Sequence, residues 1–268
     1  MTPQRLRHLA AGIVACALAP VAAFAHGQPA SQHTCAAPTE LVRLASPLTR
    51  TAQRLAAGQP VTIVAIGSSS TFGAGASSRA AAYPARLEAE LRARFPHSQI
   101  TVINRGVNGD EAREMLARFT DSVIRQKPDL VLWQVGTNAV LRNDIAPTGP
   151  LILKGLAQLK ALGVDVIMID PQYAPSVLAK GDVDQMLALI AGATKQNNVD
   201  LFPRFAVMHY WMQHEHMAFA DFISPDKLHM NDWGYACFAK LIGGAITEAA
   251  QRNVATAQVQ GIAHTTMQ

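Results

Sequence analysis

Short β-branched runs, each halted by a turn residue, constrain this chain more than any other feature of its sequence. Val61-Thr62-Ile63-Val64-Ala65-Ile66 stops at Gly67, and Ile100-Thr101-Val102-Ile103 stops at Asn104. Leu130-Val131-Leu132-Trp133-Gln134-Val135 stops at Gly136, and Val164-Asp165-Val166-Ile167-Met168-Ile169 stops at Asp170. Runs with so few polar interruptions predict strands covered on both faces. Helical periodicity fills the gaps, at residues 84–95, 149–162, 182–197 and 232–250. In the first of these, Glu88 and Arg92 stand one helical turn apart. Val199-Asp200-Leu201-Phe202 is a candidate fifth strand. Alternating strands and helices predict a parallel sheet with right-handed crossovers and helices on both faces. The expected fold is an α/β three-layer sandwich.

A chain of 268 residues can bury roughly 70–75% of its unfolded surface, so this core needs no metal or disulfide staple. Apolar residues make up 49% and charged ones 16%, which excludes a disordered chain. No repeat and no Pro/Gly-rich seam divides it, so one domain is expected over residues 59–253. Residues 26–58 read as an N-terminal extension that begins with a polar linker up to Pro38. Leu41, Leu44, Leu48 and Leu55 then recur at near-helical spacing and predict a short helix ending near Gly58. Residues 254–268, rich in Ala, Thr and Gln, are expected to form a flexible tail.

The first 25 residues have the layout of a secretory signal. Arg5, Arg7 and His8 precede an apolar run from Leu9 to Leu18, and Ala23-Phe24-Ala25 offers a cleavage site before His26. Ile13-Val14-Ala15-Cys16 resembles a lipobox, but the apolar run continues well past Cys16. No other stretch is long and apolar enough to span a bilayer, so a periplasmic or secreted protein without an integral membrane segment is expected. Cleavage removes Arg5 and Arg7 and leaves 21 basic residues against 19 acidic ones. No concentrated basic face points to nucleic acid. Cleavage also leaves Cys35 and Cys237. In an oxidising compartment the pair is expected to form a disulfide tying the extension to the last helix; two buried free thiols are the alternative.

In an open α/β sheet, chemistry gathers beyond the C-terminal ends of the strands. There stand Gly67-Ser68-Ser69-Ser70-Thr71, residues 104–110, Gly136-Thr137-Asn138 and Asp170-Pro171-Gln172-Tyr173. The three serines form a candidate nucleophile turn. Competing glycine motifs fail in detail. A phosphate loop needs Gly-Lys-Ser/Thr, and no lysine occurs between Gly67 and Lys127. A dinucleotide fingerprint starting at Gly73 would put its third glycine at Ser78, and an α/β-hydrolase elbow centred on Ser69 would need one at Thr71. A serine attacks an acyl carbon only with a base to take its proton and donors to hold the oxyanion. Far along the chain, Asp226 precedes His229 by three residues. In a compact turn that spacing lets the carboxylate reach one imidazole nitrogen while the other faces the serine. Gly109, through its N–H, and Asn138, through its side-chain amide, are candidate oxyanion donors.

These four pieces, in this order, resemble the SGNH hydrolases, the GDSL-type esterases and lipases, over residues 61–250. The family's first block is Gly-Asp-Ser with Thr and Gly soon after, and alignment on Gly67, Thr71 and Gly73 implies Ser69 as the nucleophile. The second block falls on Asn104-Arg105-Gly106-Val107-Asn108-Gly109-Asp110 and implies Gly109. The third, Gly-x-Asn-Asp, reads Gly136-Thr137-Asn138-Ala139. The last, Asp-x-x-His, is Asp226-Lys227-Leu228-His229, with Asn231, Gly234 and Tyr235 following. Ser68 and Ala139 stand where the family has aspartates that hold the loops. The resemblance implies a flavodoxin-like parallel sheet of about five strands and a Ser69–His229–Asp226 triad. It also implies an oxyanion hole made by the Ser69 N–H, the Gly109 N–H and the Asn138 amide, with no metal or organic cofactor.

Arg105, Gln134, Gln172 and Tyr173 lie at or near strand ends and are candidates either to line a substrate pocket or to pack the loops. Asp221 and Asp232 rival Asp226, which fits the short turn better. His209, His214 and His216, near Trp211 and Glu215, lack His-Glu-x-x-His spacing and are expected on a solvated helix face. Trp133 is expected in the core. The connection from Gly136 to Gly163 is expected to hold a short loop and one helix, so no bulky lid. An open site suits small acyl esters, such as acetyl groups on polysaccharide, better than long lipid chains. The expected partner is therefore a small ester or an acylated carbohydrate. A lysophospholipase or thioesterase fits the same triad, and a non-catalytic carbohydrate-binding envelope protein on the same fold is the rival from another class.

Overall fold

A computed structural model of the chain describes residues 33–265, with side chains described as far as Arg252. The leader expected at residues 1–25, Cys16 and most of the polar linker lie outside the described residues. Five strands form one parallel sheet: β1 (Val61–Gly67), β2 (Ile100–Gly106), β3 (Leu130–Gln134), β4 (Asp165–Ile169) and β5 (Asp200–Phe202). Their order across the sheet is β2-β1-β3-β4-β5, the doubly wound arrangement in which the chain reverses direction between β1 and β3. All five apolar runs therefore became strands. β2 runs two residues beyond Asn104 because its pairing with β1 continues to Gly67 and Gly106.

The helices that matter here are α1 (Thr49–Ala56), α2 (Ser69–Phe72), α3 (Tyr83–Arg94), α4 (Thr137–Arg142), α5 (Thr148–Ala161), α6 (Val183–Asn197), α7 (Arg204–Gln213) and α8 (Asp232–Thr265). Helices α1 and α3 pack with α8, and α5 packs with α6, giving a helical layer on each side of the sheet. Every residue of β3, the central strand, is buried as a result. Trp133 lies in that core with its ring edge-on to Phe119.

Three sequence expectations need correction. The leucine-rich stretch before Gly58 is two helical pieces, Thr39–Val42 and α1, because Pro47 disfavours helical geometry at Ser46. Asp200 holds the break by accepting the N–H groups of Ala45 and Ser46. The connection from Gly136 to Gly163 carries two helices, α4 and α5, since α4 starts directly at the strand end. Helix α8 continues beyond Ala250, to Thr265.

Cys35 and Cys237 form a disulfide between the N-terminal segment and α8. Trp211 secures the same segment by donating its indole N–H to the Ala36 carbonyl. Among the described residues, no helix is long and apolar enough to cross a membrane.

Candidate active site

Four segments leaving the C-terminal edge of the sheet converge on one place. Helix α2 follows β1 after a single extended residue, Ser68, so Ser69 sits on a tight strand-to-helix turn. Its Oγ lies 2.7 Å from His229 Nε2, and His229 Nδ1 lies 2.6 Å from Asp226 Oδ2. The chain thus brings Ser69, His229 and Asp226 into one hydrogen-bonded line. The other Asp226 oxygen accepts the Ser224 hydroxyl at 2.7 Å and the N–H groups of Leu228 and His229 at 2.9 Å. Burial works against the Asp226 carboxylate, but these bonds outweigh it and hold its pKa below the usual carboxylate range. An acid kept ionised in this way orients the ring and stabilises a positive charge on it.

The turn after the serine helix presses against the histidine. Gly75 has φ +85°, and a Cβ there would stand 2.8 Å from His229 Cβ and 2.6 Å from the Met230 carbonyl oxygen. Only glycine meets both demands. Tyr235 donates to the Ala74 carbonyl at 2.7 Å, and Asp232 accepts the N–H and hydroxyl of Ser77. Asp232 is therefore a clamp on this turn. Asp221, the other rival acid, accepts the Ala218 N–H and lies 3.4 Å from His33.

The candidate oxyanion donors come from the neighbouring loops. Among the described residues, the N–H groups of Ser69 and Gly109 have no protein acceptor. Asn138, in the first turn of α4, donates one amide hydrogen to the Asp110 carbonyl at 2.9 Å and keeps a second. Two arginines fix the loop that carries Gly109. Arg142, one turn after Asn138 on α4, donates to the Gly109 carbonyl and to Glu111. Arg118 pairs with Asp110 at 2.7 Å and donates to the Gly67 carbonyl. Sequence reasoning missed both; the four-residue spacing of Asn138 and Arg142 was the available signal. Behind the same loop, Gly106 lies so close to α2 that a Cβ would reach the Phe72 nitrogen at 2.1 Å. The turn that carries Ser69 and the loop that carries Gly109 are thus in backbone contact.

The four pocket candidates divide. Gln134 and Gln172 are each only 1% exposed and are bonded to the loops around them. Gln134 accepts from Ser68 and Thr71, while Gln172 accepts from Thr137 and donates to the Leu228 carbonyl. Tyr173 is half-buried, stacked on Phe219 and tilted against His209, with Phe205 edge-on. Arg105 is also half-buried, and among the described residues it forms no ion pair. His209, His214 and His216 are exposed, and no cluster of three or more metal-ligating side chains occurs among the described residues.

The model of the Non-GDSL lipase-like family matches residues 34–252, which span all these segments. The chain belongs to that family. It is an SGNH/GDSL-like esterase family, as the resemblance implied, and the comparisons relate it to the acetylxylan esterases. A stretch of 65 residues is 38% identical to an acetylxylan esterase of Geobacillus stearothermophilus, covering 24% of this chain and 30% of that relative. The match therefore spans less than a third of the relative's length.

Solved structures extend the likeness in fold. A two-domain esterase active on acetylated mannans, crystallised with mannopentaose, superposes with a TM-score of 0.68 at 17% identity. That match covers 79% of this chain and 57% of the other. A catalytic mutant of Axe2, an acetylxylan esterase from Geobacillus stearothermophilus, gives 0.58 at 21% identity, over 69% of this chain and 94% of that one.

Proposed function

We propose that the protein is a serine esterase that removes short acyl groups, acetyl above all, from carbohydrate hydroxyls. The observation that carries this reading is the line from Ser69 Oγ through His229 to Asp226, with both steps below 2.8 Å. Ser69 attacks the ester carbonyl as His229 takes its proton, and the tetrahedral oxyanion is held by the Ser69 N–H, the Gly109 N–H and the Asn138 amide. His229 returns the proton to the leaving sugar hydroxyl. Water then attacks the acyl-Ser69 ester with His229 again as base, releasing the carboxylic acid and restoring the serine.

Two further features favour an acyl-sugar substrate. Proteins of the same fold include an esterase active on acetylated mannans and acetylxylan esterases. The half-buried Tyr173, in its cluster with His209 and Phe219, offers an aromatic surface of the kind that sugars stack on. The same proposal treats residues 1–25 as a cleaved leader and the enzyme as periplasmic or secreted, where the disulfide would persist.

Acetate release from acetylated xylo- and manno-oligosaccharides tests the reading. The wild type is expected to release acetate and the Ser69→Ala variant none. Equal or better turnover of a long-chain acyl ester or a lysophospholipid would replace the substrate class. Sugar binding without acetate release would replace the enzyme with a binding protein.

A further inference from the structure

Beneath the site lies an arginine that the reaction does not use. Arg204, the first residue of α7, is fully buried, with 0% exposure. Its Nε and Nη2 donate to the Asp170 carbonyl at 3.0 and 2.8 Å, and Nη2 also reaches Gln172 Oε1 at 2.9 Å. Its Nη1 donates to Ser70 Oγ at 3.0 Å. Gln172 carries the network onward, accepting the Thr137 hydroxyl at 3.0 Å and donating to the Leu228 carbonyl at 3.3 Å.

The three end points share one property. Ser70 adjoins Ser69, Thr137 adjoins Asn138, and Leu228 adjoins His229. The segments that carry Ser69, Asn138 and His229 are therefore anchored, one residue away, to the same guanidinium and its glutamine, whereas the Gly109 loop is held by Arg118 and Arg142. Burying a guanidinium is costly, and an apolar side chain would fill the volume at lower cost. Here most of its donors are spent on neutral acceptors, and the Phe238 ring, 5.9 Å from the guanidinium carbon, gives a further contact. A planar fork of donors is the one side chain that reaches two loops and a strand end together.

We propose that Arg204, acting through Ser70 and Gln172, is the positioning residue that holds Ser69, Asn138 and His229 in register. The proposal rests on the esterase reading above, because it assigns registry among groups given roles there. Arg204 touches no substrate, so its removal should lower turnover and leave binding alone.

A double-mutant cycle with p-nitrophenyl acetate tests this, using Ser70→Ala, Gln172→Ala and their combination. Ser70 and Gln172 are not bonded to each other, so the cycle reads coupling through the arginine. Each single change should lower kcat about tenfold with KM within about twofold, and the double change should cost little more than either alone. Arg204→Lys, which keeps the charge and one or two bonds, should retain more of kcat than Arg204→Met at similar thermal stability. A multiplicative double effect of about a hundredfold would overturn the proposal, as would changes in KM alone. The cycle decides even where Arg204→Met does not fold. A wild type that hydrolyses no ester would remove the esterase reading and this proposal together; an active wild type with unmoved variants would remove this proposal only.

Discussion

The side-chain carbonyl of Gln134 accepts both the N–H and the hydroxyl of Ser68, each at 2.9 Å. One amide at the end of β3 thus grips the residue just before Ser69. Thr71 adds a weaker bond to the same oxygen, at 3.3 Å. Ser68 stands where the family resemblance expects an aspartate, and Gln134 gives its loop a fixed partner.

Gln134→Ala should therefore affect both stability and turnover. It leaves the buried Ser68 N–H without its acceptor, and a buried unsatisfied group costs about 1–3 kcal/mol. Denaturant unfolding should show a loss of that size, accompanied by a fall in kcat. Unchanged stability would mean that the loop finds another acceptor.

Asn138→Ala removes one proposed oxyanion donor while leaving Ser69 and His229 in place. Turnover should fall by about 10²–10³ with little change in KM, because the oxyanion exists only in the transition state. Steady-state kinetics on a soluble acetyl ester would check this. A rise in KM at constant kcat would make Asn138 a substrate-binding group instead.

Much of this arrangement was legible in the sequence, for identifiable reasons. The strands were readable because sheet residues buried on both faces run apolar with few interruptions, as β3 does from Leu130 to Trp133. Ser69, Asp226 and His229 lie in segments that the strand ends bring together, so motif order was enough to find them. Arg204 was invisible: an arginine after a proline has no local mark of burial, and its partners lie 32 to 134 residues away. The shared role of Gln134 and Gln172 was equally hidden, since a strand-end glutamine reads alike as a pocket wall or a loop tie. The break at Pro47 could have been read from proline chemistry, but the leucine spacing on either side masked it.

Stability should carry the mark of Asp170. Burial, only partly offset by the Phe205 N–H and the Arg204 charge, pushes its carboxyl up to about 7. The folded state then keeps a proton that the unfolded chain has already released, so this group makes stability fall as pH rises from about 4 to 7. Asp170→Asn keeps an acceptor for the Phe205 N–H and removes the titration. Relative to wild type, the variant should gain stability between pH 5 and 8, on the order of 2 kcal/mol. Parallel stability curves for the two proteins would contradict it.

The Cys35–Cys237 disulfide closes a loop between residues 202 positions apart. In the chain-entropy model such a loop is worth up to about 5 kcal/mol. Replacing both cysteines with serine should lower the unfolding midpoint measurably, and added reductant should then have no further effect. Wild type whose melting is insensitive to reductant would show that the bridge adds little.

The central claim is that Ser69 is a nucleophile activated by His229. A fluorophosphonate probe followed by intact-mass measurement and peptide mapping tests it most directly. The expected result is one adduct per chain, on Ser69, absent from Ser69→Ala and formed far more slowly in His229→Ala. No adduct on the folded wild type, or an adduct on Ser68 or Ser70, would contradict the account.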